Sequence, residues 1–322
     1  MSTRNLLDPE VAPVLDLIPE VSLARDNLPV HRQTSKSKIT LRNPAEYGTE
    51  RQDIRIPGLV STDNDVRCLI YRPVDPRTPS PAYIHFHGGG YLFGSPDASD
   101  DLNLRLSKSL GLMIVSVDYR LAPEHPAPAA IEDGYTVLQW LHNQADKLGV
   151  DRDRIAVGGE SAGGGVAAAL AQYAHSRGEF EICFQLLTYP MLDDRTGRDG
   201  IARSPVTGEF VWNHEQNQVG WGYYLGDSVP AAPQVPARAS DLSGLPPAWI
   251  GTAALDLFRD ENIEYAQRLL DAGVAAELIV YPGTFHGFQM AAEARVTKQF
   301  FRDHMEALQR GLTLRLPAER QD

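Results

Sequence analysis

Ile155-Ala156-Val157-Gly158-Gly159-Glu160-Ser161-Ala162-Gly163-Gly164-Gly165 reads as three features in succession. A short apolar strand, Ile155–Val157, leads into a turn of small residues, and a helix of alanines and glycines then runs from Ala162 to Ala171. A helix with so little side chain suits close packing on a sheet. Outward from this stretch, apolar runs between turn residues predict further strands at Ala82–His87, Leu112–Tyr119, Cys183–Tyr189, Ala248–Leu255 and Glu277–Tyr281. Runs apolar at both alternating positions suit a sheet covered on both faces, which is usually parallel. Helical spacing falls between them: residues 99–110 stop at Gly111, residues 128–148 at Gly149 and residues 260–272 at Gly273. Strand and helix alternate, so the expected class is α/β.

Two regions break the rhythm. Residues 1–50 are rich in proline and polar groups, and residues 191–240 carry Trp212, Trp221, Tyr223 and Tyr224 among Pro and Gly with no clear strand. Both are expected over the carboxyl edge of the sheet, where open α/β sheets bind ligands. The expected organisation is therefore 51–190 and 241–322 as the two parts of one sheet domain, with 1–50 and 191–240 lying over its edge.

Composition narrows the functional classes. The 322 residues hold 30 Lys and Arg against 42 Asp and Glu, a net charge of −12. Such a chain lacks the positive field that holds a phosphate backbone or anionic lipid heads, so neither nucleic acid nor a membrane surface is an expected partner. Two cysteines, Cys68 and Cys183, build no disulfide framework and show no metal-ligand spacing. The N-terminus MSTRNLLDPEVAPVLDLIPE interrupts any apolar region with acids and prolines, and a cytoplasmic location is expected.

The chemistry gathers around Ser161. Gly159-Glu160-Ser161-Ala162-Gly163 fits G-x-S-x-G in its required setting, strand before and helix after. A nucleophile on so sharp a turn needs small neighbours, and the following helix points its first amides at developing negative charge. His87-Gly88-Gly89-Gly90 directly follows a strand, where glycine amides can approach an oxyanion unobstructed. Gly88 and Gly89, with Ala162, are the candidate oxyanion donors. A serine needs a base, and the base needs an orienting carboxylate. His286, in a short loop after ELIVY, is the candidate base; His87 reads as a loop-holding histidine, His85 as a core residue and His125 as part of a proline-rich loop. Asp256, directly after AWIGTAAL, is the candidate acid, with Asp193 and Asp194 as competitors and Asp260 as a cap or a charge at the start of its helix.

HGGG, VDYRLAPEHPAPAAIEDG, GESAGG, LDLFRDE and the terminal HGF, in that order over roughly residues 80–290, together resemble the hormone-sensitive-lipase family of α/β-hydrolases in its microbial esterase branch. The resemblance implies an eight-stranded, mostly parallel sheet with a helical cap. It also implies a carboxylesterase acting on short acyl esters through an acyl-enzyme, with Ser161 as nucleophile, His286 as base, Asp256 as acid, and Gly88, Gly89 and Ala162 as oxyanion donors. No metal or organic cofactor is expected. This sequence departs from the family in two places. Glu160 stands where better-known branches carry Asp or Thr, and Asp256-Leu257 stands where an Asp-Pro pair is usual.

Three other readings compete. Gly163-Gly-Gly165-Val-Ala-Ala168 fits the dinucleotide pattern G-x-G-x-x-A, but inside a helix instead of at its turn, and it leaves Ser161, HGGG and His286 unexplained. A ligand-binding protein on the same fold, and an amidase or deacetylase using the same triad, are the others. Tyr91, Phe93, Phe210, Trp212, Trp221, Tyr223, Tyr224 and Phe288 are candidate pocket lining, with about half expected to be ordinary packing. The strand Leu278–Tyr281 is a candidate edge for a homodimer.

Overall fold

The structure is a computed structural model that describes residues 2–19, 21–58, 65–198, 200 and 204–313. Eight strands form one sheet: β1 Thr49–Ile56, β2 Val66–Pro73, β3 Ser80–Phe86, β4 Met113–Val117, β5 Val150–Glu160, β6 Phe184–Thr188, β7 Ala248–Ala253 and β8 Ala276–Tyr281. Their order is β1-β2-β4-β3-β5-β6-β7-β8. β2 runs antiparallel to both β1 and β4, and every pairing from β4 to β8 is parallel.

All six strands expected from the sequence are present, each within a few residues of its expected bounds except β5, which begins five residues early. The apolar-run reading passed over β1 and β2. β1 is TERQDIRI, a charged strand at the sheet's border, where charge discourages pairing with another chain. β2 alternates Cys68 and Ile70 towards one face with Leu69 and Tyr71 towards the other, but it is bounded by arginines that mask its apolar centre.

The helices sort by face. α3 (Ala129–Leu148), α4 (Ala162–Arg177) and α6 (Arg259–Asp271) share one core with Ile84, Phe86, Val115 and Val157. α2 (Asp100–Leu110) and α7 (Arg295–Thr313) share the other with Tyr83, Ile114 and Leu186. α2 and α3 stop at Gly111 and Gly149, the residues at which the sequence predicts their ends. Two further helices belong to the irregular regions, α1 (Leu28–Ser37) and α5 (His214–Leu225), the latter opened by an Asn213–Gln216 capping box. Among the described residues, no helix is long and apolar enough to cross a membrane.

α4 lies hard against the sheet because Ala162 is followed by three glycines in its first turn. A Cβ added at Gly163 would sit 2.1 Å from the Phe86 carbonyl oxygen and 2.5 Å from that of His87. Both are backbone atoms with no room to yield. Gly163→Ala is therefore expected to cost on the order of 3 kcal/mol, seen as a lowered Tm in thermal unfolding. An unchanged Tm would show that α4 can move off the sheet.

Candidate active site

β5 delivers Ser161 to the carboxyl edge of the sheet at φ 57°, ψ −122°, an unfavourable conformation for a residue with a Cβ. The turn is held from both sides: Ser161 N–H donates to Thr188 O at 2.9 Å, and Ser161 O accepts from Gly165 and Met191 N–H, each at 3.0 Å. This strained backbone puts Oγ at the head of α4, facing the sheet edge.

His286 and Asp256 arrive from the ends of β8 and β7. Their loops are tied together, with Leu255 N–H donating to Thr284 O at 2.9 Å and Thr284 Oγ donating to Tyr281 O at 2.7 Å. Asp256 is fully buried. Its Oδ1 accepts from Phe258 N–H at 3.0 Å and its Oδ2 lies 2.7 Å from His286 Nδ1. A carboxylate accepts here, so Nδ1 carries the proton and Nε2 presents a lone pair. That lone pair lies 2.9 Å from Ser161 Oγ. Tyr189 and Phe258 pack on the imidazole at ring separations of 4.5 and 5.3 Å and fix its plane.

The glycine loop after β3 reaches the same point. At Gly89, φ 130°, a Cβ would meet the Phe93 carbonyl oxygen at 2.4 Å, so only glycine lets the loop turn back on itself. His87 braces it by donating from Nδ1 to Gly88 O at 2.9 Å and stacking on Tyr119 at 4.3 Å. Burial pushes the His87 imidazole below its usual pKa, which suits a structural, neutral ring. Among the described residues, no acceptor takes the N–H of Gly88 or Gly89. From α1, Arg32 donates to Leu92 O at 2.8 Å and to Ala122 O at 2.7 Å, and forms a two-pronged pair with Glu124 at 2.9 Å.

The competing residues are occupied elsewhere. Asp193 pairs with Arg195 at 2.7 Å, Asp194 with Arg238 and Arg198, and Asp260 with the neighbouring Arg259. α6 has Phe258 at its cap, so Asp260 contributes charge to the first turn without capping it. His85 is buried in β3, as expected, but it also bridges Ser116 and Glu160.

Ser161 and His286 open on a cavity of about 1260 Å³. Of the eight aromatic candidates, Phe93, Phe210, Trp212 and Tyr223 line it. Tyr91, Trp221 and Tyr224 pack together, with Tyr91 stacked on Tyr224 at 3.9 Å, and Phe288 packs against Tyr281 and Phe300. The sequence reading missed Tyr189, Gln289 and His304, which also line the cavity. Tyr189 alone carried a signal, as the first residue past the end of a buried strand.

Residues 83–290 match a family model described as the alpha/beta hydrolase fold. Carboxylesterase NlhH of Mycobacterium tuberculosis is 35% identical over 298 residues, covering 88% of this chain and 89% of its own length. Ethyl acetate hydrolase of Pseudomonas putida is 33% identical over 297 residues, covering 88% and 92%. Among solved structures, a bacterial heroin esterase superposes with a TM-score of 0.86 at 37% identity, over 97% of this chain and all of that one. With strand order, site geometry and these relatives in agreement, the chain belongs to the α/β-hydrolase family, in its hormone-sensitive-lipase branch of carboxylic ester hydrolases.

Proposed function

We propose that Ser161 is the nucleophile, His286 the general base and Asp256 the orienting acid of a carboxylesterase for short acyl esters, with Gly88, Gly89 and Ala162 amides as the oxyanion hole. The observation that carries this reading is the unbroken chain Ser161 Oγ, His286 Nε2, His286 Nδ1, Asp256 Oδ2, at 2.9 and 2.7 Å. Ser161 attacks the ester carbonyl as Nε2 takes its proton, and the imidazolium formed is stabilised by Asp256. The oxyanion that develops meets free glycine amides and the first amide of α4, each such donor being worth roughly 3–4 kcal/mol of barrier. His286 returns its proton to the leaving alcohol, and water then repeats the cycle on the acyl-enzyme. Short acyl groups are in keeping with a relative named for ethyl acetate.

The same reading makes residues 1–50 and 191–240 the two parts of a cap, since Leu15, Ile18 and His31 wall the cavity from one and Phe210, Trp212 and Tyr223 from the other. We also propose a cytoplasmic location and a second copy pairing along β8, the terminal strand of the sheet. The test is a p-nitrophenyl panel from acetate to palmitate beside the matching p-nitroanilides, with mass spectrometry after a phosphonate inhibitor. Turnover peaking on short esters, with one phosphonyl group on Ser161, is expected. Turnover of the anilides alone would replace esterase by amidase, and labelling elsewhere would remove Ser161 as nucleophile.

A further inference from the structure

Beside the catalytic chain lies a second buried polar group that the proposed ester chemistry does not use. Glu160, the residue before Ser161, lines the cavity with its side chain 15% exposed. Both of its oxygens accept from His85 Nε2, at 3.2 and 3.1 Å. On the other side of that ring, Ser116 Oγ lies 3.0 Å and Asn103 Nδ2 3.4 Å from Nδ1. A carboxylate only accepts, so Nε2 carries a proton towards Glu160. Burial alone would raise the Glu160 carboxyl, but its contacts with His85 outweigh burial and hold it below the usual range. It is ionised at neutral pH, with lone pairs left over towards the cavity.

The rest of the cavity wall adds little positive charge. His304, on α7, is 3% exposed, and burial pulls it down to about 4, so it stays neutral. Its Nδ1 and the Gln289 Oε1 are buried without a hydrogen-bond partner, although both residues line the cavity. Buried polar atoms are rarely left without a partner in a finished site. The other charged side chains on the cavity wall are Glu209, Glu215 and Arg4, and Arg4 is already paired with Asp16 at 2.8 Å.

We propose that the lobe of the cavity between Glu160, Gln289 and His304 is a substrate subsite that takes a cationic or hydrogen-bond-donating substituent of the ester and turns away an anionic one. The proposal rests on the esterase reading above and adds the chemical class of ester that this site prefers. Glu160 accepts from the substituent, Gln289 Oε1 supplies a second acceptor, and the neutral His304 ring closes the lobe without adding positive charge.

Matched esters differing only in one terminal group test it on both sides of the scissile bond. On the acyl side they are methyl butyrate, methyl β-alaninate and monomethyl succinate; on the alcohol side, the acetyl esters of 3-methylbutanol, 2-dimethylaminoethanol (protonated, with one N–H) and 3-hydroxypropionate. The readout is the ratio of kcat/KM for the cationic ester over the anionic one, in the wild type and in Glu160→Gln, which keeps an acceptor for His85. Ratios within one protein cancel any general loss of activity. On one of the two sides a wild-type ratio well above that of Glu160→Gln is expected, falling at least tenfold in the variant, mostly through KM. Should Glu160→Gln fail to fold, Gln289→Leu is read the same way, with a smaller fall of about threefold. Ratios that the substitution leaves unchanged on both sides would overturn the subsite while leaving the esterase standing. Failure of the wild type on the neutral esters would overturn both.

Discussion

Ser161→Ala is expected to lower kcat/KM for p-nitrophenyl acetate by roughly 10⁵-fold, with KM nearly unchanged. The change deletes one oxygen and nothing that holds the turn. The contacts fixing the elbow are made by the backbone of Ser161, to Thr188, Gly165 and Met191, and alanine keeps all of them along with the Cβ. The Tm should therefore stay close to that of the wild type, the lost hydrogen bond being worth about 1 kcal/mol. What remains is the contribution of the amides and of binding, since a site without its nucleophile still holds an ester against oxyanion donors. Burst kinetics separate the steps: the fast release of nitrophenol that marks acylation should vanish in the variant. A variant that keeps most of its turnover would mean that water attacks directly, with His286 as its base.

The second large effect concerns Asp256. Asp256→Asn is nearly isosteric, and its Oδ1 can still accept from Phe258 N–H. Its amide nitrogen then faces His286 Nδ1, and a donor there forces the imidazole proton onto Nε2. Nε2 can no longer accept from Ser161, so kcat is expected to fall about 10⁴-fold at neutral pH through the wrong tautomer and not through misfolding. Asp260→Asn is the control. Asp260 pairs with Arg259 on the surface, and exposed pairs of this kind are worth about 1 kcal/mol or less. Its kcat should match the wild type, and the reverse pattern would move the acid out of the loop after β7.

How much of this was legible beforehand follows from how locally each feature is encoded. The strand, turn and helix around Ser161 lie within one continuous stretch, and the spacing of glycines reports a steric demand that no distant contact alters. His286 and Asp256 were legible because each stands just past an apolar run that reads as a strand, β8 at the sheet's edge and β7 beside it. β1 was not, because an edge strand buries little and its composition looks like a loop. Arg32 was invisible for another reason: its meaning depends on the Leu92 and Ala122 carbonyls, about sixty and ninety residues away, and no local pattern announces a guanidinium that folds back on a loop. His304 likewise reads as one more residue of an amphipathic helix until the sheet places it near Glu160. The aromatic residues divided evenly between cavity and packing because their size serves both uses, and only the geometry tells them apart.

Arg32 ties the α1 wall of the cavity to the glycine loop beside Ser161. Substrate range and reactivity are therefore not separate modules in this chain. A lineage that replaces its N-terminal segment to admit a different ester also removes the brace from Leu92 and Ala122, and inherits a slack loop unless the replacement brings a cation of its own. Breadth can be changed from that side only at some cost in turnover. The segment carrying α5 is tied to the same loop by aromatic packing, Tyr91 stacking on Tyr224 beside Trp221, so variation there must keep a ring where variation in α1 must keep a cation.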